Sequence, residues 1–159
     1  MLRTYRRPFC GDDIVMASKS KDIIDAVKTT ILGLSLSGIE DANVVIRKVK
    51  DEAGMTLPGI IIAFVKRTPA KTSVTHYNDW IYQVDVVVLA ADNHSITHND
   101  AYAGWLESID NAFQNKRLDD VRSVYDCEVA PGDAVSREGW DAQKLVGIRT
   151  LKFISREAA

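Results

Sequence analysis

Apolar residues first take up a helical period after Ser18 and Ser20, where Ile23, Val27, Ile31 and Leu34 recur and Ile24 widens the stripe. Either serine can accept a hydrogen bond from a free amide of the first turn, so a helix is predicted from there to the neighbourhood of Gly33 and Gly38. Val44, Val45, Ile46 and Val49 follow, interleaved with Arg47, Lys48 and Lys50, a β-rich run with a basic edge. After the turn DEAGMTLPG, Pro58 leads into GIIIAFV, apolar on both faces and expected to be a central, covered strand. Residues 66–78, KRTPAKTSVTHYN, are polar and hold a proline, which predicts a long hairpin loop.

Beyond that loop the period becomes two. Trp80, Tyr82, Val84, Val86 and Val88 share one face, while Gln83 and Asp85 hold the other until Val87 and Leu89 return it to apolar. This strand is expected to be half-exposed at its start and buried at its end. Thr97 and Asp100 have capping-box spacing ahead of a helical face of Tyr102, Trp105, Leu106, Ile109 and Phe113. Two alternating runs finish the chain. In the first, Val121, Ser123, Tyr125, Cys127 and Val129 share a side; in the second, Val146, Ile148 and Ile154 oppose Leu145, Leu151 and Phe153. The order is α-β-β-β-α-β-β. Strand follows strand without helical crossovers, so the expected fold is α+β, a mostly antiparallel sheet of about five strands with two helices on one face. Residues 1–17 show no period and read as an extended N-terminal arm; residues 18–159 read as a single α+β domain.

Composition narrows the function classes. The chain has 159 residues, 46% of them hydrophobic and 26% charged, enough for a core without staples. A formal charge of −2 gives no overall basic excess of the kind that marks nucleic-acid binding. Cys10 and Cys127 match no metal or redox spacing, and a reducing cytoplasm is the expected setting. The start MLRTYRRPFC carries charge without a following apolar run, and Val86 to Ala91 is too short to cross a bilayer, so no membrane partner is expected.

Chemistry-bearing motifs are scarce. There is no P-loop, dinucleotide fingerprint, H-E-x-x-H or G-x-S-x-G. Asp92, His94 and His98 cluster in ADNHSITHND, but the predicted helix start separates the histidines and a third-ligand pattern is missing. His76 and Tyr77 lie beside Asp79 with no nucleophile or oxyanion donor to accompany them. Cys127 is expected to be a buried, inert thiol. Asp110, Asp119, Asp120, Asp126 and Glu128 tint the second half acidic, and Arg47, Lys48, Lys50, Lys66, Arg67 and Lys71 tint the hairpin region basic. Solvated surface is the plain reading. The sharper one is charge complementarity between neighbouring subunits; a third has the basic loop line a channel and touch DNA phosphates without sequence preference. Trp105 belongs to the core stripe, Trp80 to core or interface, and Trp140, in a charged Gly-containing loop, to an anchoring contact.

The order and texture of these elements resemble the tail terminator or tail-completion (neck) proteins of long-tailed bacteriophages. The features are the opening helix DIIDAVKTTILGL, the strands NVVIRKV and PGIIIAFV, the long strand WIYQVDVVVLAAD, the helix face YAGWLESIDNAF, and the closing GWDAQKL and VGIRTLKFISRE, together spanning about residues 20–157. The resemblance implies a structural virion protein that forms a ring, commonly a homohexamer, at the head-proximal end of the tail tube. Its partners would be itself, the tail tube protein and a neck, head-closure or adaptor protein, with non-specific contact to DNA in the channel. Assembly would take place in the host cytoplasm. A tube or other neck subunit of the same virion is the alternative, and a small ligand-binding domain or enzyme a third reading. No catalytic residue, cofactor or metal is carried over. The residues expected to meet partners are Arg3, Arg6 and Arg7 of the arm, Lys66, Arg67 and Lys71 of the hairpin, Trp140, and Arg156.

Overall fold

The computed structural model describes residues 18–51, 53–70, 76–91, 96–130 and 144–158, with the backbone alone at 96–99 and 144. Helix α1 spans Lys19–Gly33, and Ser18 caps it by accepting from the Lys21 amide at 3.2 Å. Its buried side is Ile23, Ala26, Val27 and Ile31. Beyond Gly33, Ser35 and Gly38 take positive φ, and the Trp105 ring stands 3.6 Å from where a Cβ on Gly38 would be. A short helical turn, Asp41–Asn43, feeds strand β1, Val44–Ile46. Strands β2 (Gly59–Ala70) and β3 (Tyr77–Ala91) form a hairpin. Helix α2 (Ile96–Phe113) follows, then β4 (Val124–Ala130) and β5 (Lys144–Ala158).

The five strands form one sheet in the order β1-β2-β3-β5-β4. Only β1 and β2 run parallel; every other neighbouring pair is antiparallel. The element order and α+β class match the expectation from sequence. Both helices pack on one face, because successive strand residues alternate sides. Ile60, Ile62, Tyr82, Val84, Val86, Val88, Leu151 and Phe153 meet the buried residues of α1 and α2 there. Phe113 of α2 packs edge-on against Phe153 with ring centres 6.0 Å apart. On the opposite face Ile61, Val87 and Leu89 are buried with Val45, Met55, Leu57, Val146 and Ile148 around them. GIIIAFV is therefore covered on both sides through Ala63: helices lie over one face, and Met55 and Leu57 over the other.

Four local expectations need correction. Lys66–Ala70 is strand, since the chain stays in register with Asp79–Gln83 of β3, so the predicted loop is much shorter. Val49 lies past the end of β1, largely exposed. Helix α2 begins at Ile96, which puts Thr97 inside its first turn instead of at the cap. A register shift between Val124 and Asp126 breaks the alternation, so Cys127 turns into the core while the Tyr125 hydroxyl reaches Asp79 on the opposite face.

Candidate interaction surface

The ends of β2, β3 and β5 carry an ordered set of charged and aromatic side chains on both faces. On the helix side, a bulge between Phe64 and Lys66 resets the alternation so that Arg67 stands opposite Tyr82. Its guanidinium lies 3.5 Å from the centre of the Trp80 ring and 5.5 Å from that of Tyr82. Arg67 Nε donates to the Tyr82 hydroxyl at 2.9 Å, and its terminal nitrogen meets Glu157 at 3.1 Å. The Tyr82 hydroxyl donates to Glu157 at 2.7 Å. Burial, helped by that carboxylate, pushes the phenol up to about 12, so it stays a donor. One arginine thus ties three strands together.

The opposite face has its own knot. Asp79 and Arg156 are cross-strand partners, joined by bonds of 2.9 and 3.1 Å, and the Tyr125 hydroxyl donates to the same carboxylate at 2.8 Å. The Arg156 hydrogen bonds, with Tyr125 adding to them, hold the Asp79 carboxyl below its ordinary range against the opposing effect of burial. Nearer the middle, buried Asp85 accepts from Lys50 at 2.8 Å and Thr150 at 2.9 Å. Arg149 meets Asp110 of α2 at 2.7 Å on the helix side. Most cations of the sheet are therefore committed to partners in the same molecule.

The two edges of the sheet differ. On β4, the Asn115 amide donates to the Cys127 carbonyl at 2.8 Å and the Gln114 side chain accepts from the Val129 amide at 2.8 Å, so the turn after α2 covers that edge. On β2, β1 pairs only with Ile60–Ile62, and the last bond on that side runs from the Arg47 amide to the Ile62 carbonyl at 3.0 Å. Among the described residues, the strand from Phe64 to Ala70 has a neighbour only in β3. Ile46, Val49 and Val65, from the β1 and β2 region, are 40%, 65% and 43% exposed. Lys48 and Lys66 are exposed nearby.

Of the residues expected to meet partners, Lys66, Arg67 and Arg156 are described, and all three lie at this end of the sheet. Lys66 is free at the surface, whereas Arg67 and Arg156 are engaged in internal knots. Arg3, Arg6, Arg7, Lys71 and Trp140 lie outside the described residues, as do the side chains of Asp92, His94 and His98. The Asp79 carboxylate, near His76 in the sequence, accepts from Arg156 and Tyr125. Burial pushes the Cys127 thiol up to about 12, as an inert core thiol requires. Among the described residues no group of three His, Cys, Asp or Glu side chains could hold a metal ion, and no helix is long and apolar enough to cross a membrane. A groove of about 530 Å³ beside α1 is lined by Thr29, Thr30, Lys116, Arg117, Asp119 and Asp120, with mixed charge and no convergent chemistry. The sequence does not reveal the two knots, because they depend on cross-strand register. The closing Arg156-Glu157 pair is their only visible trace.

No family model matches the chain, and no curated protein matches it by sequence. Among solved structures it is similar to a chain described as "Virion of native gene transfer agent (GTA) particle", at a TM-score of 0.55 and 12% identity, over 85% of this chain and 95% of that one. At that identity the likeness is one of fold: this α+β arrangement is shared with a protein of a gene transfer agent virion.

Proposed function

We propose that the chain is a structural protein of a virion, a tail terminator that assembles as a homohexameric ring at the head-proximal end of a tail tube and joins the tube to the neck. The observation that carries this reading is the edge of β2, where among the described residues no strand pairs beyond Ile62 on that side and Ile46, Val49 and Val65 are exposed. A lone soluble domain with such an edge is prone to aggregate, and a cyclic head-to-tail interface removes the edge by closure. The fold shared with a gene transfer agent virion chain supports the same class. Charge fits too: Lys48 and Lys66 stand at the β2 edge, whereas Asp119, Asp120 and Glu128 stand towards the β4 edge among Lys116, Arg117 and Arg122. The partners are further copies, the tube protein and a neck or head-closure protein, with sequence-independent contact to DNA in the channel. The role is assembly, not catalysis.

Mass by light scattering, over a range of protein concentration and salt and with and without tail tube protein, tests this. A discrete ring, alone or on adding tube protein, is the expected result. Rings that stack indefinitely would assign a tube subunit instead. A strict monomer that ignores tube and neck proteins would overturn the virion reading.

A further inference from the structure

We infer that Arg117 and Arg122 form a binding site for a carboxylate group beside the start of β4. Six arginines lie among the described residues, and four of them are engaged. Arg67, Arg149 and Arg156 meet Glu157, Asp110 and Asp79, and Arg47 donates to the carbonyls of Asp51 and Ala53. The remaining two are Arg117 and Arg122, whose side chains make no ion pair or hydrogen bond with the described residues. Both line one cavity of about 290 Å³, together with Leu118, Asp119 and Val124. Two like charges sharing a cavity repel each other, and an anion between them relieves that repulsion.

The backbone that carries the pair is fastened to the core. Leu118, Val121 and Val124 are buried, and the Val121 and Val124 amides donate to the Leu118 and Val121 carbonyls at 3.2 and 3.1 Å. Arg117, Asp119 and Arg122 beside them are exposed, so the charges stand on a turn that is ordered before a ligand arrives. Charge sets the class of ligand. Asp119 offsets one of the two guanidiniums, and the single positive charge left over is balanced by one carboxylate. A phosphate monoester carries about two negative charges at neutral pH and would leave an excess beside Asp119. A planar guanidinium also takes both oxygens of a carboxylate at once. Leu118 and Val124 supply apolar wall for the carbon stem that bears it.

Protection from phenylglyoxal, an arginine-selective reagent, tests this in the full-length protein, with the modified residues located by peptide mass spectrometry. Butyrate should slow modification of Arg117 and Arg122 with half-protection on the order of 1 mM, while neutral butyramide should not. Arg122→Gln should raise the butyrate needed to protect Arg117 about tenfold, with an unchanged melting temperature showing that the variant is folded. Asp119→Asn should lower it about threefold by removing the competing charge. A capped Leu-Glu-Leu peptide that protects better than butyrate would place the carboxylate on a partner protein; the reverse order would place it on a small acid. Equal protection by butyramide, or protection of Arg117 that ignores Arg122→Gln, would overturn the site. Stronger protection by inorganic phosphate or a short DNA duplex would overturn the assignment to a carboxylate.

Discussion

The two edges of the sheet pose one problem and answer it differently. At β4, the turn after α2 folds back, and Gln114 and Asn115 take up the groups that a further strand would have used. At β2, no described residue takes up the corresponding groups from Phe64 onwards, and Val65 there is exposed. The open edge is not undefended: it has a bulge at Val65, Lys66 and Arg67, and Pro69, each a known deterrent to indiscriminate pairing. An edge closed from within stabilises the monomer. An edge left open but guarded selects which chain can cover it.

The largest expected effect lies in the core on the helix-covered side of the sheet. Trp105→Ala removes a buried ring whose indole donates to the Ser37 carbonyl at 2.8 Å, and should cost about 3–5 kcal/mol in urea unfolding. A loss below about 1 kcal/mol would mean that α2 does not hold that side of the molecule. Asp79→Asn should next lower stability at neutral pH and flatten its further decline in acid. The Asp79 carboxyl is depressed in the folded state, so its stabilisation is present above the ordinary carboxylate value of about 3.9 and is lost as pH falls through the folded value. The variant should lack that component of the acid transition; an unchanged acid profile would show that the Arg156 knot is energetically idle.

Gln114→Ala should cost about 0.5–1.5 kcal/mol, because the Val129 amide loses its acceptor, and it should turn the β4 edge into a second open one. Increased self-association of this variant would confirm the role of the cap. Val65→Lys should be smallest in unfolding, within about 0.5 kcal/mol, yet it should abolish ring assembly seen by light scattering. If Val65→Lys assembles normally while Gln114→Ala does not, the roles of the two edges are reversed, and β4 is the assembling one.

The elements that local pattern can specify are legible in the sequence. Ser18 as a cap, the Ile23-Val27-Ile31 stripe and the alternation along Trp80–Val88 all report on a residue's own neighbours in the chain. What stays hidden is register. KRTPA looks like a loop because its residues are polar, and it is strand because β3 holds a partner for each of them. Simple alternation puts Tyr125 beside Cys127, but one bulge sends it to the opposite face to meet Asp79. Arg67 reads as surface charge, yet the Val65 bulge sets it over Trp80. Lys66, one position earlier, is the free cation that the sequence suggests for both.

The long ladder between β3 and β5 has a mechanical consequence. Its register runs without interruption from Tyr77 opposite Ala158 to Ala91 opposite Lys144. Tension applied along the strands, from opposite ends, loads all these bonds in shear at once, so that none can break before the rest are strained. Tension applied across them would open the ladder one rung at a time, and the Asp79–Arg156 and Glu157–Arg67 knots sit at the end where such peeling would start. A subunit built this way tolerates axial load and is pinned against unzipping at its Ala158 end.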